Sequence, residues 1–251
     1  MPGVVTVTPA GSATPAGPAG GGRVALSVVS DAVPGSPRAG EVVAATREAA
    51  HGIPSAHALV GGSPALTVDA KAAAERDLRV IAPLILAFTG LVLMVLLRAI
   101  LGPLVLLAIN AASSLATIGA GAWVGREFFG FPALDVQVPL IAFLFLVALG
   151  VDYTIFLVHR AQLEASGHGI REGMARALGH TGAVITSAGI VLAGVFAALG
   201  VLPLVVLGQL GLIVGLGVLI DTFIVRALLV PGVIALLGNR ASWPFGRAAR
   251  P

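Results

Sequence analysis

The polar positions of this chain thin out sharply after residue 77. Beyond that point long apolar runs alternate with short stretches that hold most of the remaining charge. A hydrocarbon core about 30 Å thick takes about twenty helical residues to cross, and runs of that length fall at 80–97, 104–124, 137–158, 183–202 and 205–229, with an apolar tail to 237. Before residue 78 the patterning is that of a water-exposed α/β piece. Residues 4–8 and 23–30 alternate β-branched and polar positions and read as strands, joined by a low-complexity Pro/Gly/Ala stretch at 12–22. Residues 38–50, opened by Ser36-Pro37, read as a helix. Residues 56–60 suggest a further strand, and a helix from about Ser63 runs into the first apolar span. The expected fold is an α-helical integral membrane bundle of five transmembrane helices (78–238), preceded by a partial α/β extracytoplasmic domain (1–77) and followed by a cytoplasmic tail (239–251).

Composition sharpens that class. A chain 57% hydrophobic and 11% charged, with mean hydropathy +1.00, belongs in a bilayer. Its 33 glycines suit closely packed helices rather than a barrel, whose strands would alternate apolar and polar positions. The net charge of +3 does not point to nucleic acid, because the basic residues are scattered and collect at one set of helix ends. Arg98, Arg160, Arg171, Arg176, Arg240, Arg247 and Arg250 fall on one side of the expected helices, which assigns that side to the cytoplasm and residues 1–77 to the outside; Lys71, Arg76 and Arg79 oppose this, but Asp69, Glu75 and Asp77 neighbour them. Cysteine is absent, and the histidines (51, 57, 159, 168, 180) form no ligand set, so neither a metal nor another cofactor is expected. Phosphate loops, nucleophile elbows and zinc-binding helices are not found, so no enzyme activity is expected either.

One polar group stands out in the third span. Asp152, followed by Tyr153, lies about 22 Å into a helix that begins at Gln137. A carboxyl group in hydrocarbon costs several kcal/mol, about 2.5–3.5 on insertion scales, and is kept where it faces a protein interior and handles ions, protons or ligands. Asp152 is therefore a candidate proton site, the alternative being a buried aspartate that ties helices together. Tyr153 projects about 100° away and is expected to serve a group on another helix. Asp221 and Arg226 in the last span are five residues apart, a spacing at which one helix does not stack side chains well. Arg226 is expected to snorkel to the interface and Asp221 to anchor a neighbouring helix. Asn110, Ser113, Ser114, Thr186 and Ser187 are the polar groups expected around Asp152, each read individually as helix–helix glue. Gly211/Gly215 and Gly121/Gly125 have the four-residue spacing that permits close backbone approach.

Taken together, Gly150-Val151-Asp152-Tyr153-Thr154-Ile155-Phe156-Leu157, Ala177-Leu178-Gly179-His180-Thr181-Gly182, Ser187-Ala188-Gly189-Ile190, Gly208-Gln209-Leu210-Gly211 and Gly217-Val218-Leu219-Ile220-Asp221-Thr222 with Arg226 resemble the MMPL family of the resistance-nodulation-division superfamily. The resemblance covers about residues 23–244, and Gly-x-Asp-Tyr is its specific element. It implies a proton-motive-force-driven exporter of lipids, lipid-linked molecules or drugs, built from two similar halves, with Asp152 and Tyr153 as half of a proton relay whose other half is a matching Asp-Tyr pair. This chain would correspond to the second half without its first helix, so transport would require a complementary N-terminal half or a second copy, together with a hydrophobic substrate and membrane lipids. Ser242-Trp243-Pro244 departs from the family's more usual Trp-Trp-Pro. The alternative is a truncated, non-transporting membrane remnant or an assembly module.

Overall fold

A computed structural model of the chain describes residues 3–10, 25–33, 35–53, 57–131, 133–165, 169–238 and 240. The expected low-complexity link at 12–22, His168, and Arg247, Arg250 and Trp243 of the tail lie outside the described residues. The chain divides into two compact units, Met1–Ala73 and Ala74–Pro251.

In the first unit, β1 (Val4–Pro9) and β2 (Leu26–Ser30) pair antiparallel, with a register irregularity between Val4 and Thr6. Helix α1 (Pro37–His51) begins as the sequence requires. Ser36 is extended and its hydroxyl accepts from the Ala39 N–H, while Pro37 occupies a position whose N–H has no helical partner. Residues 57–60 are not a strand, contrary to the expectation for 56–60; Val60 instead presents its carbonyl to Arg47 (3.4 Å). The same Arg47 clasps Asp69 with both terminal nitrogens, at 2.7 and 2.8 Å, linking α1 to the start of the next helix. That hydrogen-bonded pairing holds the Asp69 carboxyl below its usual range. Among the described residues, the α/β character of this unit thus amounts to one antiparallel strand pair with helical segments.

The second unit consists of long helices. Helix α2 (Ser63–Leu97) is continuous from the first unit into the first span and carries Pro83 within it. It is followed by α3 (Leu101–Phe129), α4 (Val138–Glu164) and α5 (Ile170–Leu199). A last run comprises α6 (Val205–Ile220), a π-helical segment (Asp221–Leu229) and α7 (Val230–Leu237). Five helices are long and apolar enough to cross a membrane, so the chain is a multi-pass membrane protein. Helix α4 continues past the expected end of its span at 158 to Glu164, and α5 begins at Ile170, well before the expected start of its span at 183.

Small residues set the packing. In α6, Gly211 faces the Phe196 carbonyl of α5 so closely that no side chain would fit between them. Gly121 of α3 meets Ile213, Gly189 of α5 meets Thr222, and Gly217 of α6 meets Leu146 and Thr117. Without a hydrophobic drive inside lipid, such close approach supplies the dispersion contact that holds helices together. Helix α6 therefore sits against α3, α4 and α5. Helix α2 joins the core through Leu93 and Leu97, leaving Val80, Leu84, Phe88, Leu91 and Val95 as an open apolar stripe that suits lipid.

Candidate functional site

The Asp-Tyr pair lies near the middle of α4, about 21 Å from Val138 and about 18 Å from Glu164 along the helix axis. Its two members face different surroundings. Asp152 is exposed on a stripe with Phe145, Ala148 and Phe156, all open in this chain. Tyr153 turns inward, where the Arg226 guanidinium lies over its ring at 4.3 Å. The 100° between consecutive helical residues produces the division.

Gly150, the first residue of the motif, has a packing role. The Asn110 amide of α3 lies where a β-carbon on residue 150 would be, so only glycine lets α3 and α4 close at this level. Thr154, on the next turn, returns its hydroxyl to the Gly150 carbonyl at 2.7 Å. Asn110 is buried with its side-chain oxygen unpartnered, and the Ser114 hydroxyl donates to the Asn110 backbone carbonyl at 2.8 Å.

Arg226 departs from expectation. It does not snorkel: at 3% exposure it is inside the bundle, it forms an ion pair with Asp221, and it donates to the Leu149 carbonyl of α4 at 3.0 Å. The reason lies in the backbone. Five residues along an α-helix amount to about 140° of rotation, which would separate the two side chains. Residues 221–229 are π-helical, with Val230 N–H bonded to the Val225 carbonyl five residues back, and the wider turn brings residues five apart much closer around the axis than an α-helix does. The pair, the Tyr153 ring and Leu146, Leu149, Gly150, Leu192 and Val218 surround a void of about 10 Å³, comparable to the smallest space that holds one water.

The other anticipated polar residues are distributed differently. Ser114 is buried beside Asn110, Ser113 and Thr186 are half-buried, and Ser187 is exposed with its hydroxyl turned to the Val184 carbonyl. No hydrogen bond joins any of them to Asp152 among the described residues. Three contributors were not singled out from the sequence. Thr154 and Thr222 lack any charge to mark them, and Gln209 was visible only as an amide in an apolar run. Buried at 2% exposure, Gln209 donates to the Ala133 carbonyl (2.6 Å) and accepts from the Asp135 N–H (2.9 Å), which pins the α3–α4 loop to α6.

Five helices long and apolar enough to cross a membrane, with a buried ion pair behind a carboxylate near the middle of the third, define a polytopic membrane protein with a polar cluster inside its helix bundle. The model of the MMPL family matches residues 13–251, and the chain belongs to that family. It is 47% identical over 223 residues to the Streptomyces coelicolor membrane protein SCO0839, covering 89% of this chain and 32% of the relative. It is 42% identical over 191 residues to the apo-petrobactin exporter of Bacillus anthracis, covering 76% and 26%. With the sulfolipid-1 exporter MmpL8 of Mycobacterium tuberculosis it shares 36% identity over 197 residues, covering 76% and 17%. The chain thus spans a third or less of the length of each relative.

Proposed function

We propose that this chain forms the second half of the transmembrane machinery of a proton-driven exporter of hydrophobic or amphiphilic molecules, with Asp152 as the group that binds and releases the proton. The observation that carries this is a carboxylate exposed near the middle of a membrane-spanning helix, on an otherwise apolar stripe. Facing lipid, it would cost several kcal/mol. A complementary protein surface covering Phe145, Ala148, Asp152 and Phe156 removes that cost and supplies the partner with which a proton is exchanged. The names of two relatives, exporters of apo-petrobactin and sulfolipid-1, support the export reading.

In this reading Tyr153, Arg226 and Asp221 are positioning residues. Arg226 is held by Asp221, the Leu149 carbonyl and the Tyr153 ring, and so places a fixed positive charge behind α4. Rocking of one half against the other would alternately cover and open the α4 face that carries Asp152, and so would change the access of its carboxyl to water. The test is export by this chain coexpressed with a complementary first half. Asp152→Asn keeps size and most hydrogen bonding but carries no proton, and is expected to abolish export at unchanged protein level. Export at the unsubstituted rate by Asp152→Asn would remove Asp152 from the mechanism.

A further inference from the structure

A second cavity lies at the end of the bundle where α3 turns into α4, away from the Asp152 site. It measures about 360 Å³, within the range of small-ligand sites, and has three walls. The last turns of α3 supply Gly121, Trp123, Gly125 and Arg126; the connecting loop supplies Phe131 and Leu134; α6 supplies Gln209 and Ile213. Each wall is fixed. A β-carbon at Gly121 would press on Ile213 and one at Gly125 would meet the Phe131 ring at 2.8 Å, so the two glycines set the separation of α3 from its neighbours. Gln209 commits its amide to the loop backbone, through Ala133 and Asp135, and leaves the interior apolar. The Asp135 carboxylate is likewise engaged, accepting from the Gln137 N–H at 3.0 Å.

The cavity is therefore an apolar space with one cation at its rim. Arg126 has no ion-pair partner among the described residues, and the adjacent Glu127 does not line the cavity. Aromatic rings gather at this corner. Trp123 is 61% exposed and makes an edge-to-face contact with Phe128 at 6.0 Å, while Phe129 stacks on Phe131. Exposed tryptophan beside arginine is the arrangement by which membrane proteins meet the polar edge of a bilayer. That pairing of tryptophan with arginine, which the stripe beside Asp152 lacks, favours lipid over another protein surface as the neighbour.

We infer that this cavity is a binding site for an anionic lipid, with the phosphate on Arg126 and the first part of an acyl chain among Trp123, Phe131, Leu134 and Ile213. A zwitterionic lipid would bring an ammonium group to a site that lines its cavity with no carboxylate. The site does not depend on the transport reading, since none of its residues belongs to the Asp152 constellation.

The chain has two tryptophans, so Trp243→Phe leaves Trp123 as the sole indole. In that background, reconstituted into phosphatidylcholine, Trp123 fluorescence is titrated with dibrominated phosphatidylglycerol or dibrominated phosphatidylcholine. We expect quenching to favour phosphatidylglycerol by about five-fold, the preference that one basic side chain confers at a membrane surface. Arg126→Gln should bring the ratio close to one and Arg126→Lys should keep most of it. Ala122→Phe, which fills the cavity without touching the charge, should also abolish the preference. Equal quenching by the two lipids overturns the assignment, as does a preference that survives Arg126→Gln or Ala122→Phe, or one equally lost in Arg98→Gln at the other end of α3. Displacement of the lipid by millimolar glycerol phosphate would show a site for the free anion instead, and would overturn it too.

Discussion

At the scale of single residues, the motif Gly150-x-Asp152-Tyr153 gives its three named positions to three neighbours. Gly150 meets the Asn110 amide, Asp152 the open face and Tyr153 the buried Arg226. Asp152 stood out in the sequence as a candidate because a carboxylate in an apolar run is costly. The directions in which its neighbours point were not legible, since they depend on which helix packs on which side. The glycine can be tested without transport. Gly150→Ala should lower the thermal midpoint in detergent by an amount corresponding to about 1–3 kcal/mol, because its methyl group enters the Asn110 side chain. Gly119→Ala, on the same α3 as Asn110 but with open space around it, should be neutral or slightly stabilising. Asn110→Ala in the Gly150→Ala background should recover part of the loss. An unaffected midpoint in Gly150→Ala would remove the packing role of the glycine.

The element that sequence periodicity misjudged is the last helix. A spacing of five argues against pairing only on an α-helix, and nothing in Asp221–Leu229 announces five-residue hydrogen bonding. The π-helical turn is read only from the backbone, and it converts two isolated charges into a buried pair. A buried pair is costly to break from one side, since each single neutral substitution strands the other charge. We therefore expect Asp221→Asn and Arg226→Gln each to destabilise the folded chain by about 3–5 kcal/mol, and the double substitution to cost clearly less than their sum. Additive losses in a thermal or denaturant series would mean that the two side chains do not act as a pair. The long apolar helices themselves were legible, with boundaries displaced outward where polar turns continue the helix, as at the end of α4.

For the whole molecule the spans follow from length and apolarity alone, whereas the sidedness rests on the arginines. Reporter fusions at Gly35, Gly169 and Arg240 should place the first outside and the other two in the cytoplasm, and a Gly169 fusion that reports from outside would invert the topology. What covers the Asp152 face is a separate matter. Without native cysteine, Ala148→Cys introduces a single thiol one turn from Asp152 on the exposed stripe of α4. With a nitroxide attached to that thiol in detergent, collisions with oxygen dissolved in the lipid should be frequent when the chain is alone in bilayers, and coassembly with a complementary first half should reduce them strongly as the face closes. A nitroxide at Val191, on the exposed side of α5, should collide equally in both preparations and so reports on access to lipid rather than on the presence of a second protein. On the proposed mechanism two halves must rock against each other, so vesicles of the chain alone under an imposed pH gradient should show no proton flux dependent on Asp152. Should flux that disappears in Asp152→Asn be found there, and should the nitroxide at Ala148→Cys be protected from oxygen without any added half, two copies of the chain close on each other through this face and each supplies the carboxylate that the other lacks.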